Sequence, residues 1–262
     1  MAVAADELIE RLARRDRGVV LGGLLGIAGL AWLYLLLIAS EMGGLAGDGA
    51  SMAKAFRPWQ AADAILMFLM WAVMMVAMMV PSAAPMILLF AAIARKSRAQ
   101  GRPIASAAVF ASGYLGVWTV VSALATGLQW GLEQVALLSP MMAVRTPLFG
   151  GLLLIAAGLY QLTPLKHVCL ENCRSPVRFL TSHWRDGAGG AFVLGLDHGL
   201  YCLGCCWVLM ALLFVGGVMN LLWIAAIAGF VLIEKLLPFG RRAGQAGGVL
   251  LLLAGMVVAL QA

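Results

Sequence analysis

The chain has 262 residues, 63% of them hydrophobic and 11% charged, against about 25% charged in soluble globular chains; composition excludes a soluble domain and leaves a polytopic membrane protein. The formal charge of +6 could suggest nucleic acid, but the basic residues sit in short clusters between apolar runs, as inner-face membrane loops require. The charge is therefore read as topology, with no nucleic-acid partner.

Residues 1–17 form a basic cytoplasmic segment carrying Arg11, Arg14, Arg15 and Arg17. The apolar run from Val19 to Ile38 exceeds the roughly 7–15 residues of a signal-peptide core and has no clean cleavage site, so it reads as an uncleaved first helix. About 20 apolar residues span a bilayer. On that criterion seven helices are predicted, near 18–39, 61–93, 103–128, 146–164, 189–215, 219–238 and 243–261. Residues 18–262 then form a single all-α, polytopic transmembrane helix bundle. Pro81 and Pro85 are expected to kink or break the second helix. Glycines at 187, 189, 190, 195, 199 and 204 are expected to delay the fifth or break it.

Lysine and arginine set the orientation. Arg95, Lys96, Arg98 and Arg102 follow the second helix, Lys166, Arg174, Arg178 and Arg185 the fourth, and Lys235, Arg241 and Arg242 the sixth. Alternate loops carry only Lys54 and Arg57, then Arg145, then none. The positive-inside rule places the N-terminus in the cytoplasm and the C-terminus outside.

All five cysteines fall between positions 169 and 206. In "LKHVCLENCRSP", Cys169 and Cys173 are four apart, with His167 just before them; on a continuing helix both thiols share a face. In "DHGLYCLGCCW", Asp197 and His198 precede Cys202, Cys205 and Cys206. At about 100° per residue, His198 and these three thiols fall within about 100° of one another, with Met210 just beyond. Asp197 is expected either to orient a ligating histidine or to be solvated near the interface. A depth problem remains open at this point. With a rise of about 1.5 Å per residue, Cys202 lies roughly 18 Å into the membrane, whereas Cys169 and Cys173 begin a cytoplasmic loop. One five-thiol site requires that loop to fold inward or the fifth helix to start later; otherwise there are two sites.

The segment "MFLMWAVMMVAMMVPSAAPM" holds Met67, Met70, Met74, Met75, Met78, Met79 and Met86. At helical spacing Met67, Met70, Met74 and Met78 form one stripe, and Met75 and Met79 another. Methionine stripes commonly fill cores, but thioether beside thiolate is the donor set of Cu(I). Glu234 and Lys235, at the end of the sixth helix, read as an interfacial ion pair or a snorkelling anchor.

At "MWAVMMVAMMVPSAAPM", "YQLTPLKHVCLENCRSP", "GLDHGLYCLGCCWVLM" and the "EK" ending the sixth helix, the chain resembles a bacterial family known as domain of unknown function 2182, over about residues 60–240. The resemblance implies an inner (cytoplasmic) membrane protein with metal at Cys169, Cys173, Cys202, Cys205 and Cys206. The reading is a carrier of a soft transition metal, Cu(I) first and zinc second, for transport, transfer or delivery. Met74, Met75, Met78 and Met79 would be weak sites, the thiols a tighter one, with His198 assisting and Asp197 orienting it. The expected partners are the lipid bilayer and a metal chaperone or metalloprotein client. No catalytic motif is evident; the alternatives are a membrane thiol-disulfide oxidoreductase and a structural subunit of a membrane complex.

Overall fold

The computed structural model describes residues 2–45, 59–101, 104–139 and 142–261, with side chains in the first range over 18–40. Lys54, Arg57 and Arg102 of the topology argument lie outside the described residues, as do the side chains of Arg11, Arg14, Arg15 and Arg17. In chain order the described helices are α1 (Ala2–Leu45), α2 (Ala61–Ala99), α3 (Ala107–Gln134), α4 (Pro147–Leu162) and α5 (Pro164–Arg174). They continue with α6 (Pro176–His183), α7 (Gly187–Ala211), α8 (Leu213–Gly216), α9 (Leu221–Leu236) and α10 (Gly240–Leu260).

Each of the seven sequence-predicted segments is helical, but they are not seven equal spans. Among the described residues, five helical stretches are long and apolar enough to cross a membrane, and six if the bent pair α4 and α5 counts as one span. The sixth predicted helix, α9, has 16 residues, or about 24 Å at 1.5 Å each, short of the roughly 30 Å hydrocarbon core. The faces turned away from the bundle are apolar: Leu30, Leu124, Leu222, Leu250 and Leu260 are all exposed, as lipid contact favours.

The expected break in the second helix does not occur, for α2 runs unbroken through Pro81 and Pro85. A helical proline deprives the carbonyl four residues earlier of its donor, and for Pro81 that carbonyl belongs to Ala77. The Trp32 indole Nε1 on α1 donates to the Ala77 oxygen at 3.2 Å. A side chain from the neighbouring helix thus replaces the missing amide, and α2 stays whole.

Likewise α7 is continuous from residue 187 despite its glycines. Gly195 and Gly199 sit where α3 and α7 touch. A Cβ on Gly113 would lie 3.0 Å from the Leu196 nitrogen, and one on Gly195 3.0 Å from that of Tyr114. Backbone-to-backbone packing of this kind offsets the roughly 1 kcal/mol that each glycine costs a helix.

The chain turns by 65° between α4 and α5. Pro164 supplies no amide to continue the α4 ladder, and the Thr163 hydroxyl accepts from the Lys166 amide at 3.3 Å, capping the new helix. Instead of leaving as a loop, α5 folds back against α7. In the middle of the bundle α2 buries Met70, Trp71, Met74, Met75, Met78 and Met79.

Candidate metal centre

The thiols meet where α5, α7, α2 and α9 converge. On α7, Cys202, Cys205 and Cys206 are all buried. The Cys205 and Cys206 thiols each donate to the Cys202 carbonyl, at 3.1 and 3.0 Å. Cys206 Sγ lies 3.9 Å from Met79 Sδ on α2. From α5, the partly buried Cys173 packs against the core cluster that contains Cys202 and Cys205. Cys169 packs on Gly204, where a Cβ would stand 2.7 Å from its sulfur. All five cysteines are free. Rather than leaving as a loop, α5 lies along α7, the arrangement that a single five-thiol site requires.

Cys202 is the hub. Lys235 Nζ donates to its sulfur at 2.9 Å and to Ser82 Oγ at 3.1 Å. The Tyr114 hydroxyl shares a hydrogen bond with Cys202 Sγ at 3.2 Å and lies 3.1 Å from the Met79 carbonyl. The reading of Glu234 and Lys235 as an interfacial pair or snorkelling anchor is corrected here. Both are buried, and being successive residues on α9 they point about 100° apart. Lys235 enters the thiol cluster. Glu234 instead accepts from Lys166 Nζ at 2.6 Å and Gln161 Nε2 at 3.3 Å. Arg174, at the far end of α5, donates to the carbonyls of Glu234 at 2.6 Å and Leu237 at 2.8 Å. Each buried charge has a partner, as a low-dielectric interior requires.

Other sequence candidates fall less close. His198 is 3% exposed, its ring stacked on Tyr114 and Phe110 and meeting Phe179 edge-on. Among the described residues its Nδ1 meets no hydrogen-bond partner. Asp197 does not orient it: the carboxylate faces Arg185 Nη2 at 3.5 Å. His167 is turned about 200° from Cys169, and the charges around it are those of Arg241, Lys166 and Glu171. Met74, Met75 and Met78 are fully buried along α2. Among the described residues, no three Cys, His, Asp or Glu side chains are already arranged to hold a metal ion. The thiols are engaged with the Cys202 carbonyl and with Lys235.

Sequence reasoning missed Lys235, Tyr114 and Ser82 as members of the cluster. They come from three different helices, and no spacing rule links them to α7.

A family model described as copper chaperone, PpoB2, matches residues 68–258. The chain belongs to the PpoB2 copper-chaperone family. No curated protein and no solved structure matches it. For a PpoB2 copper chaperone the metal is cargo, and the donors suit it: sulfur from cysteine and methionine is the soft ligation that favours Cu(I) over harder ions.

Proposed function

We propose that this PpoB2-family chain is an integral protein of the bacterial inner membrane that binds Cu(I) through its thiols and delivers it to a metalloprotein client. The observation that carries this reading is the folding back of α5 against α7, which sets Cys169 on Gly204 and Cys173 against the core that holds Cys202, Cys205 and Cys206, with Met79 beside Cys206. Cys202, Cys205, Cys206 and Cys173 form the tight site, with Cys169 at its edge. Met74, Met75, Met78 and Met79 are weaker donors that pass the ion along α2, and His198 lines the cluster. His167 and Asp197, which face elsewhere, are outside the ligand set. Binding requires the Cys205 and Cys206 thiols to rotate off the Cys202 carbonyl.

Lys235 supports exchange. Thiolates in a low-dielectric interior need a positive charge nearby, and an ammonium 2.9 Å from Cys202 supplies it. The Lys235 ammonium offsets part of the negative charge that the thiolates carry when they hold a single Cu(I) ion, and it stays beside Cys202 when the ion leaves.

The test is elemental analysis of the protein purified anaerobically in detergent, beside the Cys202→Ser, Cys205→Ser, Cys206→Ser triple variant. Copper bound by the first and lost from the second is the expected result. Unchanged copper in the triple variant overturns the thiol assignment, and a Cys202 to Cys205 disulfide without metal favours the oxidoreductase alternative.

A further inference from the structure

A second group of soft donors lies at the other end of α2. Gln129 on α3 is fully buried, and its carbonyl oxygen accepts from the Trp71 indole at 2.8 Å. Three acceptors surround its amide nitrogen: Glu133 Oε1 at 2.9 Å, Met142 Sδ at 3.3 Å and Met67 Sδ at 3.6 Å. The amide has two protons to give. Two of the three acceptors are thioethers, which are weak acceptors and gain little from an amide. The nest is richer in soft electron pairs than a glutamine needs.

The loop after α3 goes to some cost to make it. Met142 has φ of 55°, a left-handed conformation that a residue bearing a Cβ rarely adopts. The loop enforces it: Met142 N donates to the Ser139 carbonyl at 2.8 Å, Ser139 N to that of Ala143 at 2.7 Å, and Val144 N to that of Phe214 at 2.8 Å. Strain held in place by its surroundings clusters at functional positions. The Glu133 carboxylate is fixed by the Trp59 indole at 2.7 Å.

We propose that Met67 and Met142 form a second, weaker Cu(I) site at this end of the bundle, with Glu133 as counter-charge and Gln129 swinging aside. The proposal rests on the copper reading above and adds a port to it. Met67, Met142 and Glu133 are half-buried, whereas Met74, Met75, Met78 and Met79 are fully enclosed, so this is the place where the methionine row meets its surroundings. Met67 is twelve residues before Met79, about 18 Å along α2, and Met70, Met74, Met75 and Met78 fill the interval. The row thus joins an open thioether site to the enclosed thiols. On the lysine and arginine count, α2 begins on the outer side of the membrane.

The experiment uses the full chain in detergent under anaerobic conditions, with Cu(I) titrated against a chromophoric Cu(I) chelator. A variant with all five cysteines replaced by serine should keep one weak Cu(I) equivalent, and adding Met67→Leu and Met142→Leu should weaken that equivalent roughly tenfold or more. The proposal is overturned if the cysteine-free chain binds no copper, or if the leucine pair leaves its binding unchanged. The unmodified chain gives a second reading that needs no variant to fold. Ag(I), a redox-inert surrogate added beyond the thiol equivalents, should protect Met67 and Met142 from peroxide oxidation followed by mass spectrometry; equal oxidation with and without Ag(I) refutes the site. The two proposals fail separately. Copper in the unmodified chain with none in the cysteine-free chain removes only the port, whereas copper unchanged by loss of the cysteines removes only the thiol centre.

Discussion

Replacing Lys166 with methionine isolates what the buried ion pair contributes. Lys166 and Glu234 are 1% and 2% exposed, with Nζ and Oε1 2.6 Å apart. Lys166→Met keeps the aliphatic stem but leaves Glu234 facing only the Gln161 amide at 3.3 Å. Breaking a buried pair by removing one partner costs about 3–5 kcal/mol, whereas replacing both with apolar residues is often neutral. Lys166→Met should therefore lower stability by about 3–5 kcal/mol, and Lys166→Met with Glu234→Leu by much less. At roughly 2–4 °C per kcal/mol for a chain of this order of size, the single variant should melt on the order of 10 °C lower in detergent. Lys166 begins α5, one turn before Cys169, so the same variant should expose Cys169 and Cys173 to faster alkylation. A double variant as unstable as the single one, or a single variant within about 1 kcal/mol of the parent, would refute the argument that this pair docks α5.

Two further perturbations test the frame around the site. Gly195→Val places a branched side chain against the α3 backbone at Phe110 and Tyr114; overpacking costs about 1–3 kcal/mol or more, and loss of copper together with a lower melting temperature is the expected outcome, measured by elemental analysis and thermal unfolding. Trp32→Phe removes the donor to the Ala77 carbonyl, and hydrogen bonds between membrane helices are worth about 0.6–2 kcal/mol. Amide exchange near Pro81 should quicken in this variant, whereas exchange in α7 should stay as it was.

Helices and the thiol face were legible in the sequence because both are local. Apolar runs marked the seven segments, and 100° geometry put Cys202, Cys205 and Cys206 on one face. What could not be read was whatever depended on a partner from another helix. Proline at 81 predicts a break only if nothing replaces the lost donor, and Trp32 does so from a distance of 45 residues. Glycines in α7 predict weakness only if no backbone packs against them, and α3 does. Glu234 and Lys235 read as an interface pair because adjacent opposite charges usually are one; their separate partners, Lys166 and Cys202, lie far away in the chain. Met142 gave no periodic signal at all, since it sits in a loop and is aimed by backbone conformation rather than by helical spacing.

The ties between α5 and α9 also order events in time. Lys166 waits for Glu234, 68 residues later, and Arg174 for the carbonyls at Glu234 and Leu237. At a synthesis rate of about 5–20 residues per second, the partner emerges roughly 3–14 s after Lys166. Until then α5 has nothing to hold its buried ammonium, and Cys169 and Cys173 have no clamp against α7. The full set of sulfur donors therefore comes together only after the ninth helix has been made, and a half-finished chain on the ribosome does not yet present the complete thiol cluster.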